Sequence, residues 1–179
     1  MSDLYGRVTE DQNIFQKLLA KLPGFKGYFE RSNRRQADKL LRTTVADRFE
    51  EQWQRISSLQ RDLISQGEIG YIDDVEAASL KLRQFIDRVR TASYGYAGFF
   101  APVKIDAAEL ERIYSYDLAL LDLVDEVSRA IENVEASMGT DGLPAAFRNL
   151  TSVSQKCVET FNQRRELIKG STAEENPQS

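Results

Sequence analysis

Residues 110–138, LERIYSYDLALLDLVDEVSRAIENVEASM, and residues 143–168, LPAAFRNLTSVSQKCVETFNQRRELI, are separated only by Gly139–Gly142. In the first stretch Leu110, Ile113, Asp117, Leu120, Val124, Val127, Ile131, Val134 and Met138 recur at alternating three- and four-residue spacing. That is the a/d seam of a helix packed along another helix. The second stretch continues the seam with Leu143, Phe147, Leu150, Ser154, Cys157, Phe161, Arg164 and Ile168. Pro144 sits in the first turn, where a missing N–H costs nothing. In an antiparallel hairpin, facing residues have position numbers with a nearly constant sum. Met138 with Leu143, Val134 with Phe147, Ile131 with Leu150, Val124 with Cys157 and Leu120 with Phe161 all sum to 281. So do Asp117 and Arg164, which places the two charged interruptions of the seam opposite each other.

A second hairpin precedes it. From Phe29 to Gln66 the chain has no Gly or Pro, and Leu41, Val45, Phe49, Trp53, Ile56, Leu59 and Leu63 share one helical stripe. This predicts a helix of about 38 residues, roughly 57 Å long. Gly67 and Gly70 break it, and Val75, Ala78, Leu82, Phe85, Val89 and Ala92 repeat the pattern. Asp73 with Glu76, and Asp106 with Glu109, are acidic analogues of a capping box at the next two helix starts. Here Leu63 with Val75, Ile56 with Leu82, Trp53 with Phe85 and Phe49 with Val89 sum to 138. Upstream, Thr9 and Gln12 form a capping box ahead of Ile14, Phe15, Leu18, Leu19 and Leu22, a short amphipathic helix stopped by Pro23-Gly24. The reading is an all-α fold: an antiparallel up-down four-helix bundle over 29–169, a short N-terminal amphipathic helix and Pro/Gly turn over 1–28, and a disordered tail over 170–179.

Composition sets the class. Four prolines and ten glycines among 179 residues, with 41% apolar and 29% charged side chains, describe an amphipathic helical protein. One cysteine allows no internal disulfide, so a cytoplasmic location is expected. The chain has no histidine. That removes Ser/His/Asp and Cys/His catalysis, mixed-ligand zinc sites and the Glu-x-x-His di-iron motif together. Asp117, Asp122, Asp125 and Glu126 do not all share a helix face, and no phosphate-binding glycine loop is present, so neither a metal nor any other cofactor is expected. The net charge of −4 argues against nucleic acid. The chain reads as a non-enzyme.

Three features remain. Asp117 and Arg164 read as a structural ion pair fixing register. Cys157, opposite Val124, reads as a small buried hydrophobe. The long connection Ser93-Tyr94-Gly95-Tyr96-Ala97-Gly98-Phe99-Phe100-Ala101-Pro102 is aromatic where a bare linker would be polar. The register sets it at the same bundle end as Tyr114, Tyr116, Phe25, Tyr28 and Phe29. It is either a plug for the bundle end or a recognition surface. Beside it, Lys21 to Arg42 carries seven basic residues against Glu30 and Asp38, while Asp106 to Asp141 holds ten acidic residues against Arg112 and Arg129. Each run is either a solvated helix face or half of an electrostatic contact.

The stretch Leu22–Tyr28 with Arg34-Arg35 following, and Ala92–Phe100, resemble a group of uncharacterised bacterial helical proteins over about the first two thirds of the chain. The resemblance implies a bacterial source and no activity. The functional expectation is a scaffold or interaction protein that binds a protein partner, or itself as a homo-oligomer. Its contact residues are Arg31, Arg34, Arg35, Tyr94, Tyr96, Phe99 and Phe100. The alternative is a peripheral protein on an anionic membrane surface, held by the amphipathic helix and the basic stretch.

Overall fold

The computed structural model describes residues 16–22, 34–92 and 107–173. Among these the chain is all-helical. Residues 16–21 are the described part of a leading helical segment. Four long helices follow: α1 (Arg34–Gln66), α2 (Ile72–Thr91), α3 (Ala107–Ser137) and α4 (Leu143–Ala173). α1 ends at Gln66 as its apolar stripe predicts, and its expected start at Phe29 lies outside the described residues. So do the Thr9–Gln12 box and Asp106. α4 runs to Ala173, four residues into the stretch read as a disordered tail. Its lack of Gly or Pro between Ala145 and Lys169 lets the helix continue past the last seam residue.

Both tight turns follow from glycine. At the end of α1, Gly67 has φ 80°, its N–H donates to Ile64 O, and the Glu68 N–H donates to Leu63 O. This is a Schellman termination, which needs a residue that tolerates the left-handed region. Gly139, with φ 72°, turns the chain after α3. There Thr140 Oγ1 donates to Ser137 O and accepts the Gly142 N–H. The capping box expected at Asp73 and Glu76 is not how α2 begins. The cap residue is Tyr71, without a side-chain cap bond, and Asp73 lies inside the first turn with Asp74. Both carboxylates there act on the helix dipole instead.

Each long helix packs against two others: α1 on α2 and α3, α4 on α3 and α2. Consecutive α2 and α3 are not principal neighbours, so the segment between them crosses from one hairpin to the other. The two hairpins are antiparallel inside and parallel to each other. Tyr71 stacks on Phe147 at 5.6 Å, Lys81 Nζ donates to Gln155 Oε1 at 2.7 Å, and Phe85 meets Phe161 edge-on at 6.0 Å. These pairs advance together along α2 and α4, at an offset near 75. Arg48 and Arg55 set the same sense for α1 on α3, the first through Lys21 to Asp122, the second to Ser128.

Having two neighbours widens each buried stripe. The seam residues Leu41, Val45, Phe49, Ile56, Leu59, Leu63, Val75, Ala78, Leu82, Phe85 and Val89 are buried. So are Leu120, Val124, Val127, Ile131, Val134, Leu143, Phe147, Leu150, Ser154, Cys157 and Phe161. Beside them lies a second set outside the seam: Ala46, Ile86, Leu121, Leu123, Ala130 and Ala146. Trp53, read as core, is only half-buried. Its ring lies under the Arg83 guanidinium, 5.2 Å from the centroid, and packs on the core edge. In the first hairpin Phe49 meets Phe85 at 4.6 Å, one turn from the Trp53–Phe85 and Phe49–Val89 pairing expected. Edge-on packing of two large rings sets that register, a detail that spacing alone does not contain.

The leading segment lies across α1 and α3. Leu18 and Leu22 join the core, Lys21 reaches α3, and Arg48 of α1 donates to the Lys21 carbonyl oxygen.

Candidate functional site

The expected ion pair is formed. Arg164 Nε donates to Asp117 Oδ1 and Nη2 donates to Oδ2 at 3.3 Å, so the guanidinium fork grips the carboxylate with two bonds. Arg164 is 0% exposed and is the largest fully buried side chain among the described residues, while Asp117 is 2% exposed. A charge so far from water is retained only when paired and hydrogen-bonded.

A third charge stands at the same level. Arg42 is 7% exposed, and its Nη1 donates to Val89 O at 3.2 Å. Arg42 and Asp117 lie on the parallel neighbours α1 and α3, 75 positions apart. Val89 and Arg164 lie on α2 and α4 with the same offset. Among the described residues this level therefore includes the guanidiniums of Arg42 and Arg164, the carboxylate of Asp117 and Val89. It sits near the end where α1 and α3 begin and α2 stops. Arg42 was legible only as one member of the basic run. Its spacing from buried Ala46 and Phe49, four and seven residues on, is the signal that belonged to the seam.

Residues 93–106 depart from the end of α2 and arrive at the start of α3, at this polar end. α1 begins at the same end. Of the predicted contact residues, Arg31, Tyr94, Tyr96, Phe99 and Phe100 lie outside the described residues. Arg34 and Arg35 form the first turn of α1, and their side chains lie outside them as well.

Surface charges on the rest of the molecule pair across helices. Arg90 reaches Asp47 at 3.0 Å and Glu50 at 2.9 Å, and its pKa is raised above the ordinary value, first by the Asp47 hydrogen bond. Arg83 also meets Glu50, at 3.0 Å. Lys156 reaches Glu126 at 2.8 Å across α3 and α4. Cys157 is fully buried, and desolvation, helped by the nearby Glu126 charge, pushes its thiol up to about 12. A thiol held there supplies no thiolate near neutral pH. Among the described residues no three Cys, Asp or Glu side chains converge as a metal site requires, and no helix is long and apolar enough to cross a membrane. Comparison with protein-family models, with curated proteins and with solved structures finds no match.

Proposed function

We propose that the chain is a non-enzymatic four-helix-bundle scaffold that binds a protein partner, or a second copy of itself, through its polar end. The observation that carries this reading is the buried layer of Arg42, Asp117 and Arg164. Burying the guanidiniums and the carboxylate together costs desolvation that an apolar layer would avoid. In sequence the basic stretch leads into α1 and the aromatic connection 93–106 joins α2 to α3, helices whose ends lie there. A positive surface with several tyrosines and phenylalanines suits an acidic protein face. The acid-rich α3 of another copy has that character.

Chemistry argues the same way from the other side. The chain offers no imidazole, and its thiol is buried and protonated. The membrane-associated alternative loses support because Leu18 and Leu22, the middle and the end of the amphipathic face, lie in the core.

Light scattering after size exclusion, with pull-down from lysate, tests the proposal. The intact chain is compared with one carrying Arg31→Glu, Arg34→Glu and Arg35→Glu, and with one carrying Tyr94→Ser, Tyr96→Ser, Phe99→Ser and Phe100→Ser. The expected result is a partner or self-association lost in both variants. A strict monomer without partner would sink the reading. Flotation with anionic liposomes at low salt distinguishes the membrane alternative.

A further inference from the structure

Charge is spread unevenly along the bundle. Residues 62–80 and 132–147, which contain both tight turns, hold five and three carboxylates and no lysine or arginine. Glu132 and Glu135 are met by Arg55. The other six, Asp62, Glu68, Asp73, Asp74, Glu76 and Asp141, form no ion pair among the described residues. Elsewhere Glu50, Asp87, Asp122 and Glu126 each have a cation.

Exposed apolar surface gathers in the same place. Ile64, Ile69 and Leu80 are 56%, 67% and 56% exposed, and they are the large apolar side chains left most open to water among the described residues. Single exposed residues of this kind are ordinary, but three bordering one side of a hairpin are not. Ile64 lies eleven residues after Trp53, three turns on and on the same helix face. Trp53 in turn lies under Arg83 of α2. Leu80 stands one turn before Arg83, and Ile69 lies in the short turn Ile69–Tyr71 that joins the two helices. Asp73 and Glu76, seven and four residues before Leu80, share its face of α2. The backbone beneath is held by the Gly67 termination and by the stacking of Tyr71 on Phe147, so binding there has little ordering to do.

No three carboxylates converge among the described residues, so the chemistry does not suit a divalent cation. A ligand with an apolar stripe and flanking positive charge fits both features. Leu80 also lies eight residues after the start of α2 at Ile72, about 12 Å along the axis, which matches two turns of a helix laid beside it. We infer that this side of the first hairpin docks a cationic amphipathic helix of a partner protein. Its apolar stripe covers Ile64, Ile69 and Leu80, and its lysines or arginines meet Glu68, Asp73 and Glu76. The surface shares no residue with the polar end, and the two proposals fail independently.

Fluorescence anisotropy on the full chain tests the docking. The probe is a labelled leucine–lysine peptide of about 18 residues patterned as an amphipathic helix, and the reference has the same composition with the pattern scrambled. The patterned peptide should bind more tightly than the scrambled one and should weaken with salt. Ile64→Ser with Ile69→Ser should weaken its binding about tenfold. Glu68→Gln with Glu76→Gln should weaken it about threefold. Glu51→Gln with Glu159→Gln removes the same charge from exposed positions on α1 and α4 and should leave binding unchanged. Far-UV circular dichroism checks that each variant keeps its helix content. Equal binding of the two peptides, binding that the isoleucine variant leaves intact, or no binding overturns the docking. Self-association of the chain that the isoleucine variant loses, without peptide binding, also overturns it and assigns this side to a second copy.

Discussion

At the end where Gly67 and Gly139 turn the chain, the interior is made of Leu63, Val75, Val134 and Leu143, all buried and apolar. At the other end the corresponding layer holds Arg42, Asp117 and Arg164 beside Val89. The turn end is fixed by backbone: left-handed glycines and carbonyls that take the bonds the helices leave open. The polar end is fixed by side chains whose charges tolerate few arrangements. Stability and specificity are therefore assigned to opposite poles. An apolar layer accepts substitution by shape, whereas a paired guanidinium accepts one geometry.

The largest expected effect tests the polar pole. Asp117→Ala or Arg164→Ala strands a buried charge and should cost about 3–5 kcal/mol, read from urea unfolding. Asp117→Leu with Arg164→Met removes both charges of the pair and should cost less than either single variant. A loss below about 1 kcal/mol for the single variants would mean a solvated pair and would erase the contrast between the ends.

Smaller effects belong to the turn pole. Gly67→Ala and Gly139→Ala each force a Cβ into a left-handed residue and should cost about 1–2 kcal/mol. Neither Cβ would meet a neighbour within 4 Å, so the cost is backbone strain alone. Gly70 has equal room and no positive φ. Gly70→Ala should be neutral or stabilising by up to about 1 kcal/mol, and the same urea curves separate the three.

The smallest effect lies on the flank, at Lys21. Its pKa is raised above 10.5, first by the hydrogen bond to Asp122. A group whose folded pKa is raised contributes fully below its unfolded pKa and loses that contribution as pH climbs through the folded one. Lys21→Met should therefore cost under about 1 kcal/mol at pH 9, and the difference from wild type should vanish above the folded value. A difference that persists there would mean that Lys21 acts by packing its stem.

The Asp117–Arg164 pairing is legible from the numbers, because the constant sum of 281 sets the two residues opposite each other. Helix ends were legible where glycine marked them and not at Asp73, since a first-turn carboxylate and a cap carboxylate look alike in sequence. The parallel packing of the two hairpins was not legible. Spacing within a helix fixes which face is buried and is silent on which of two neighbours that face meets. For the same reason Arg42 passed as surface charge: its role depends on an offset of 75 between helices that only tertiary packing supplies.

The layer of Arg42, Asp117 and Arg164 has a topological consequence. Four helices joined as two hairpins can close in two cyclic orders with similar greasy contact. In the observed one, α3 stands between α1 and α4, so Asp117 lies on the helix between those that carry Arg42 and Arg164. In the other order α4 would stand beside α1, which brings the helices carrying the two arginines into direct contact. Two buried guanidiniums on adjoining helices repel as leucines and valines do not, so the charged level weighs against that handover between hairpins.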